Sequence, residues 1–134
     1  MGEYFKILNA DRKEYIDPFC MPECSEKFPS LIFSKYIGAG ITALLCYTEI
    51  KMNGYYTQKL IGSWNNNDIR IIGDYQHEDL CYQLSHNLEY KNISYEVLAM
   101  LCELDNVVAE ELAVLSYKDN ISLFNITGPV ALLE

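Results

Sequence analysis

The residues best suited by type and spacing to do chemistry lie in "IGSWNNNDIRIIGDYQHED", residues 61 to 79. Asp74, Tyr75, His77, Glu78 and Asp79 follow directly on a strand-like run. Carboxylates and an imidazole so close together can ligate a divalent metal or serve as general acid and base. The same types also suit a helix N-terminus. Glu78 and Asp79 would fall in a first turn, where an acid stabilises by about 0.3–1 kcal/mol. The spacing matches no metal-site pattern. These five residues are therefore read as a binding cluster, with no catalytic residue and no metal ligand assigned.

Cys20 and Cys24, in "CMPEC", form a C-x3-C pair. Structural zinc needs a second pair with its own tight spacing. His77 with Cys81, or Cys81 with His86, matches such a pair poorly. No Gly-x-Ser-x-Gly segment is present for nucleophilic catalysis, and "GAG" at 38 to 40 lacks the Gly-Lys-Ser/Thr of a phosphate loop. No cofactor is expected, and a binding protein is favoured over an enzyme.

The chain has 134 residues and a net charge of −9 from 19 acids and 10 bases. Lys51, Lys59, Arg70 and Lys91 stand apart from one another, so nucleic acid and anionic membranes lack the basic cluster they need. Negative charge instead favours a cationic partner and speeds encounter with it. Tyrosine is abundant, 11 residues against five Phe and one Trp. Its apolar body and polar tip suit half-buried surfaces and interfaces. The five cysteines, with no export signal at the start, read as reduced thiols in the cytosol of a cell or host. Cys46, Cys81 and Cys102 sit in apolar helical patterns and are expected to be buried. The apolar run "YIGAGITALLCY" is too short to span a bilayer.

The elements that must position these residues can be read from periodicity. "YFKILN" (4 to 9) alternates as a strand, and "KEYI" returns after the turn "ADRK". "DPFCMPECSEKFPS" (17 to 30) is an irregular excursion. A helix is expected over about Gly40 to Ile50, from Ile41, Leu44, Leu45 and Thr48, ended by Asn53-Gly54. "QKLIGSW" and "IRIIGDY" around "NNND" read as a β-hairpin. "HEDLCYQLSHNLEY" is a helix with Leu80, Leu84 and Leu88 on one face. Ser94 is expected to cap a further helix with Glu96 in its first turn, and Asp105 to cap another. "NISLFNITG" reads as a last strand. Strand runs and helix runs do not alternate regularly. The expectation is one α+β domain over residues 1 to 134, with a small, mainly antiparallel sheet of four to five strands packed by three to four helices.

Gly2, Tyr4, Asn9, Lys13 and Tyr15 in "MGEYFKILNADRKEYIDP", with Trp64, Gly73, Asp74 and Tyr75 in "GSWNNNDIRIIGDY", resemble a scattered set of small viral and microbial proteins. That set has no settled activity. The resemblance implies that Asp74 and Tyr75 matter, either to fold the hairpin or to line a site.

The reading that joins size, charge and tyrosines is an acidic cytosolic interaction factor, of an inhibitor, immunity or counter-defence type. It would bind a basic surface on a protein partner through Asp74, Tyr75, His77, Glu78 and Asp79. A homodimer is compatible with the aromatic surface. Two alternatives stand beside it: a small metal-dependent enzyme using Asp74, His77 and Glu78, and a domain sequestering a nucleotide-like ligand near Arg70 or Lys91.

Overall fold

The alternating start folds as its pattern requires. In the computed structural model, which describes residues 3–47 and 53–118, Phe5–Asn9 forms strand β1 and Glu14–Ile16 forms β2. They pair antiparallel, with Ile7 opposite Ile16 and Asn9 opposite Glu14. Asn9 builds the turn between them from a fully buried position. Its Oδ1 accepts the N–H groups of Asp11 and Arg12, each at 3.0 Å, while Nδ2 donates to Asn67 Oδ1 at 3.0 Å. An Asn side chain thus stands in for turn backbone. Lys13 completes the turn in the left-handed region at φ 53°.

Ile69–Gly73 forms β3 and Lys91–Asn92 forms β4. The sheet order is β3-β1-β2-β4, antiparallel except for β4, which runs parallel to β2. Among the described residues six helices accompany this four-stranded sheet, so the fold is α+β. They are α1 (Phe28–Phe33), α2 (Lys35–Leu45), α3 (Tyr55–Leu60), α4 (Glu78–His86), α5 (Ser94–Leu104) and α6 (Asn106–Lys118). The expected count was lower because α1 and α3, six residues each, are too short to show a period.

The chain separates into two compact units. One comprises the chain up to Gly38 and Asn66–Ser94, and holds the whole sheet. Leu8, Tyr15, Ile72 and Leu84 form a core cluster there, with Leu80, Cys81 and Tyr90 packed against it. The other comprises Ala39–Asn65 and the chain from Tyr95. In that unit Val97 through Cys102 are all buried, so α5 is buried around its circumference, as an apolar helix should be. Gly40 serves the same packing: a Cβ there would lie 2.6 Å from Val97 Cγ1.

Several expectations are corrected. The hairpin of "QKLIGSW" with "IRIIGDY" does not form. "YYTQKL" is α3, and β3 pairs with β1 instead. The physical reason lies in the orphan carbonyls at the end of α2. Gly62 N–H donates to Ala43 O and Trp64 N–H to Leu44 O, both at 2.9 Å. An N–H that donates to a helix-end carbonyl is not available to a sheet ladder. Helix α2 starts and stops earlier than expected, because Tyr36, Ile37, Gly40, Ala43 and Leu44 are its buried face and Leu45 is exposed. Gly54 precedes α3 rather than ending α2. Leu88 lies beyond α4 and is fully exposed. Ser94 opens α5, but its hydroxyl donates to Asn92 Oδ1 at 2.6 Å and accepts Asp17 N–H at 2.8 Å. Asp105 caps α6 as expected, its Oδ1 accepting Val107 N–H at 2.8 Å. The strand expected in "NISLFNITG" lies outside the described residues.

Gly62 has φ +71°, and a Cβ there would lie 2.6 Å from the Cys46 carbonyl oxygen. Gly62→Ala is therefore expected to lower stability by about 1–3 kcal/mol. Urea unfolding with an unchanged slope and a lower midpoint is the readout; an unchanged midpoint would contradict the capping role.

Candidate functional site

The predicted cluster sits where β3 runs into α4. Asp74 closes the β1–β3 ladder: its N–H donates to Tyr4 O and its Oδ1 accepts Tyr4 N–H, both at 3.0 Å. The side chain thus takes the place of one more ladder carbonyl. Gly73 packs tightly before it, since a Cβ there would meet the Glu3 carboxylate and lie 2.9 Å from Phe5 Cε1. His77 precedes α4, donating its N–H to Gly73 O at 3.0 Å and accepting Cys81 N–H at 2.9 Å. Its imidazole makes no capping bond. Glu78 and Asp79 occupy the first turn, where they complement the helix dipole.

Tyr75, His77, Glu78 and Asp79 are exposed, and Asp74 is half-buried. Glu78, Tyr82 and His86 follow at intervals of four along α4 and share one helical face. The rings of Tyr82 and His86 stack at 3.9 Å with 5° between their planes. His86 Nδ1 lies 2.8 Å from Tyr82 O, which fixes the imidazole against the helix end. The result is an outward row of carboxylate, phenol and imidazole beginning at the predicted cluster.

Among the described residues no group of three or more His, Cys, Asp or Glu is placed to hold a metal ion. Asp74, His77 and Glu78 therefore do not converge. Cys20 and Cys24 serve separate neighbours: Asn92 Nδ2 donates to Cys20 Sγ at 3.7 Å, while the Cys24 thiol donates to Ser25 O at 3.3 Å. Burial raises the pKa of Cys24 and Cys81, and pushes the Cys102 thiol up to about 11. Of the three cysteines expected inside, Cys102 is buried, Cys81 half-buried and Cys46 exposed. Cys46 is exposed because α2 ends at Leu45.

An open cleft of about 440 Å³ lies beyond the C-terminus of α4, lined by Tyr15, Leu84, His86, Tyr90, Lys91 and Asn92 among others. Lys91 is thus part of a concave wall, as the ligand-sequestering alternative requires. Arg70 is not. It is exposed and paired with Asp68 at 2.7 Å, and that bond holds the Asp68 carboxyl below its ordinary range.

A charged group that sequence reasoning passed over is Lys6. Its ammonium lies 3.3 Å from Asp17 Oδ2 and 3.2 Å from Glu26 Oε2, with the lysine side chain only 13% exposed. Burial lowers its pKa, but the two carboxylates outweigh that, and the pKa is raised. Alternation carried the signal: Lys6 shares the face of Leu8, so a cation points toward the core.

Lys6→Met leaves two half-buried carboxylates without their cation and is expected to cost about 1–3 kcal/mol at neutral pH. Calorimetric melting of the variant checks it. A second expectation concerns alkali. Lys6 and Cys102 both hold their protons more tightly when folded, so their stabilisation is complete below the unfolded pKa values, 10.5 and 9.0, and is lost as pH rises through the folded ones. Stability should fall from pH 9 to about 11, by about 2 kcal/mol for Cys102 alone, and Cys102→Val should flatten that limb. Thiol labelling at neutral pH should modify Cys46 first and Cys102 only on unfolding; early labelling of Cys102 would refute its burial.

Comparison of the chain with family models, with curated proteins and with solved structures returned no match.

Proposed function

We propose that this protein is an acidic, cytosolic interaction factor, of the inhibitor, immunity or counter-defence type, which occupies a basic surface on a protein partner. The observation that carries the reading is the exposed row at the start of α4. Tyr75, His77, Glu78 and Asp79 all face solvent, and Tyr82 with 63% exposure continues the row. Aromatic anchors ringed by acids are what a surface needs to seat a cationic patch, the aromatics supplying contact area and the acids steering. The net charge of −9 adds long-range attraction of the same sign. No helix among the described residues is long and apolar enough to cross a membrane.

The cleft beside Lys91 and His86 favours a second reading, a small-ligand-binding domain with an anionic ligand. The interaction reading is preferred because its residues lie close together along the chain and are exposed, whereas the cleft is open to solvent.

The test is affinity capture from cell lysate at low and high salt, with Glu78→Gln/Asp79→Asn and Tyr75→Ala/Tyr82→Ala variants. Asp74 is left intact because it closes the sheet. A protein partner should be retained at low salt, be released at high salt, and lose about tenfold in affinity in each variant. Retention indifferent to salt and to both variants would sink the reading.

A further inference from the structure

Strand β3 lies at the margin of the sheet, with β1 as its one strand neighbour among the described residues. The ladder decides which of its backbone groups face outward. Asp74 N–H donates to Tyr4 O at 3.0 Å, and Ala10 N–H to Asp68 O at 2.9 Å. Hydrogen-bonded positions alternate in an antiparallel pair. Residues 68, 70, 72 and 74 therefore turn their backbone to β1, and Ile69, Ile71 and Gly73 turn theirs outward. Gly73 O takes His77 N–H at 3.0 Å. The N–H and C=O groups of Ile69 and Ile71 line the edge, and Ile71 is 57% exposed. Proline and bulges, two of the usual blocks to edge pairing, are missing from β3, its one charged side chain, Arg70, is paired with Asp68, and its register with β1 is unbroken from Gly73 to Ile69.

We propose that this edge docks an extended basic segment of a partner protein, which adds as an antiparallel strand beside β3. The proposal rests on the interaction reading above and names the partner's chemistry. Main-chain bonds to Ile69 and Ile71 would supply affinity, and charge would supply choice. Asp74, Glu78 and Asp79 follow one another where β3 ends, with Glu3 against Gly73. At the other end Asp11 Oδ2 accepts Asp68 N–H at 2.7 Å, and Arg70 offsets one of these two carboxylates. Both ends are acidic. A second copy, paired antiparallel about Ile71, would set the Asp68 end of each strand against the Asp74 end of the other. Like charges directly opposite destabilise such pairs. A strand with Lys or Arg at its ends and a β-branched residue opposite Ile71 reverses that repulsion and covers the exposed Ile71.

The test is amide hydrogen exchange on the isotope-labelled full chain with an end-blocked peptide, Lys-Val-Thr-Ile-Thr-Val-Lys, as the probe. The Ile69 and Ile71 amides should exchange freely without peptide and slow by about tenfold or more at saturation, while those of Lys6 and Leu8 stay unchanged. A peptide with Glu replacing both Lys should bind about tenfold more weakly at low salt. A peptide N-methylated at the amides that face β3 should not bind, and this control leaves the protein unaltered. Ile71→Pro, tolerated at an edge, should abolish binding too. Protection of Ile71 before peptide is added, equal binding of the Glu-ended peptide, or self-association through β3 would each overturn the proposal. If the peptide leaves β3 unmoved while a captured partner is still lost from Glu78→Gln/Asp79→Asn, the edge proposal fails and the interaction reading stands.

Discussion

The ammonium group of Lys6 decides how the sheet-bearing unit closes. It extends from β1 on the same face as Leu8 and meets Asp17, where the irregular excursion begins, and Glu26, near its end. Glu26 is bound to β1 a second time, since Phe5 N–H donates to its carbonyl at 2.7 Å. The excursion from 17 to 30 is thus fastened at both ends to the first strand, although it carries little regular structure of its own. A cation drawn toward an apolar cluster costs solvation, and only paired carboxylates offset that. Once Lys6 is placed, Asp17 is placed. Asp17 in turn accepts Phe19 N–H to start the 3-10 turn over Pro18–Cys20, and its own N–H reaches Ser94.

The same economy operates where β3 ends. Asp74 is a ladder rung before it is anything else, because its carboxylate and its N–H both hold Tyr4. The residues that follow it are exposed. Tyr75 and His77 leave their side chains in solvent, and Glu78 and Asp79 complement a helix that has no side-chain cap. An exposed acidic and aromatic surface next to an open strand edge is the physical basis of the interaction reading. A distant acid plays the capping part elsewhere. Glu103 accepts the N–H groups of Tyr56 and Thr57 at 3.2 and 2.7 Å and also the Thr57 hydroxyl, at the start of a helix preceded by a glycine.

Much of the fold was legible because its signals are local. Alternation marked β1 and β2, the turn "ADRK" marked their hairpin, and apolar periodicity marked α4, α5 and α6. The wrong pairings share one cause. "QKLIGSW" has β-branched and apolar residues, but the carbonyls it must satisfy belong to α2, far back in the chain. "IRIIG" was recognised as a strand and given the wrong partner, since pairing is a long-range matter. Of the candidate site, the position and exposure of Glu78 and Asp79 followed from helix chemistry. The bond from Asp74 to Tyr4 and the ion pairs of Lys6 could not be seen, because their partners are remote.

By itself, the sequence determined the class of the fold, the acidic field, and the cluster from Asp74 to Asp79 at a strand-to-helix junction. Periodicity, charge and capping are properties of neighbours, so a linear chain displays them. Tertiary structure alone decided which strand β3 pairs with, which of its backbone groups face outward, which acid folds the sheet and which acids meet solvent. Those outcomes depend on where orphan carbonyls and half-buried charges find partners, and those partners lie far away along the chain.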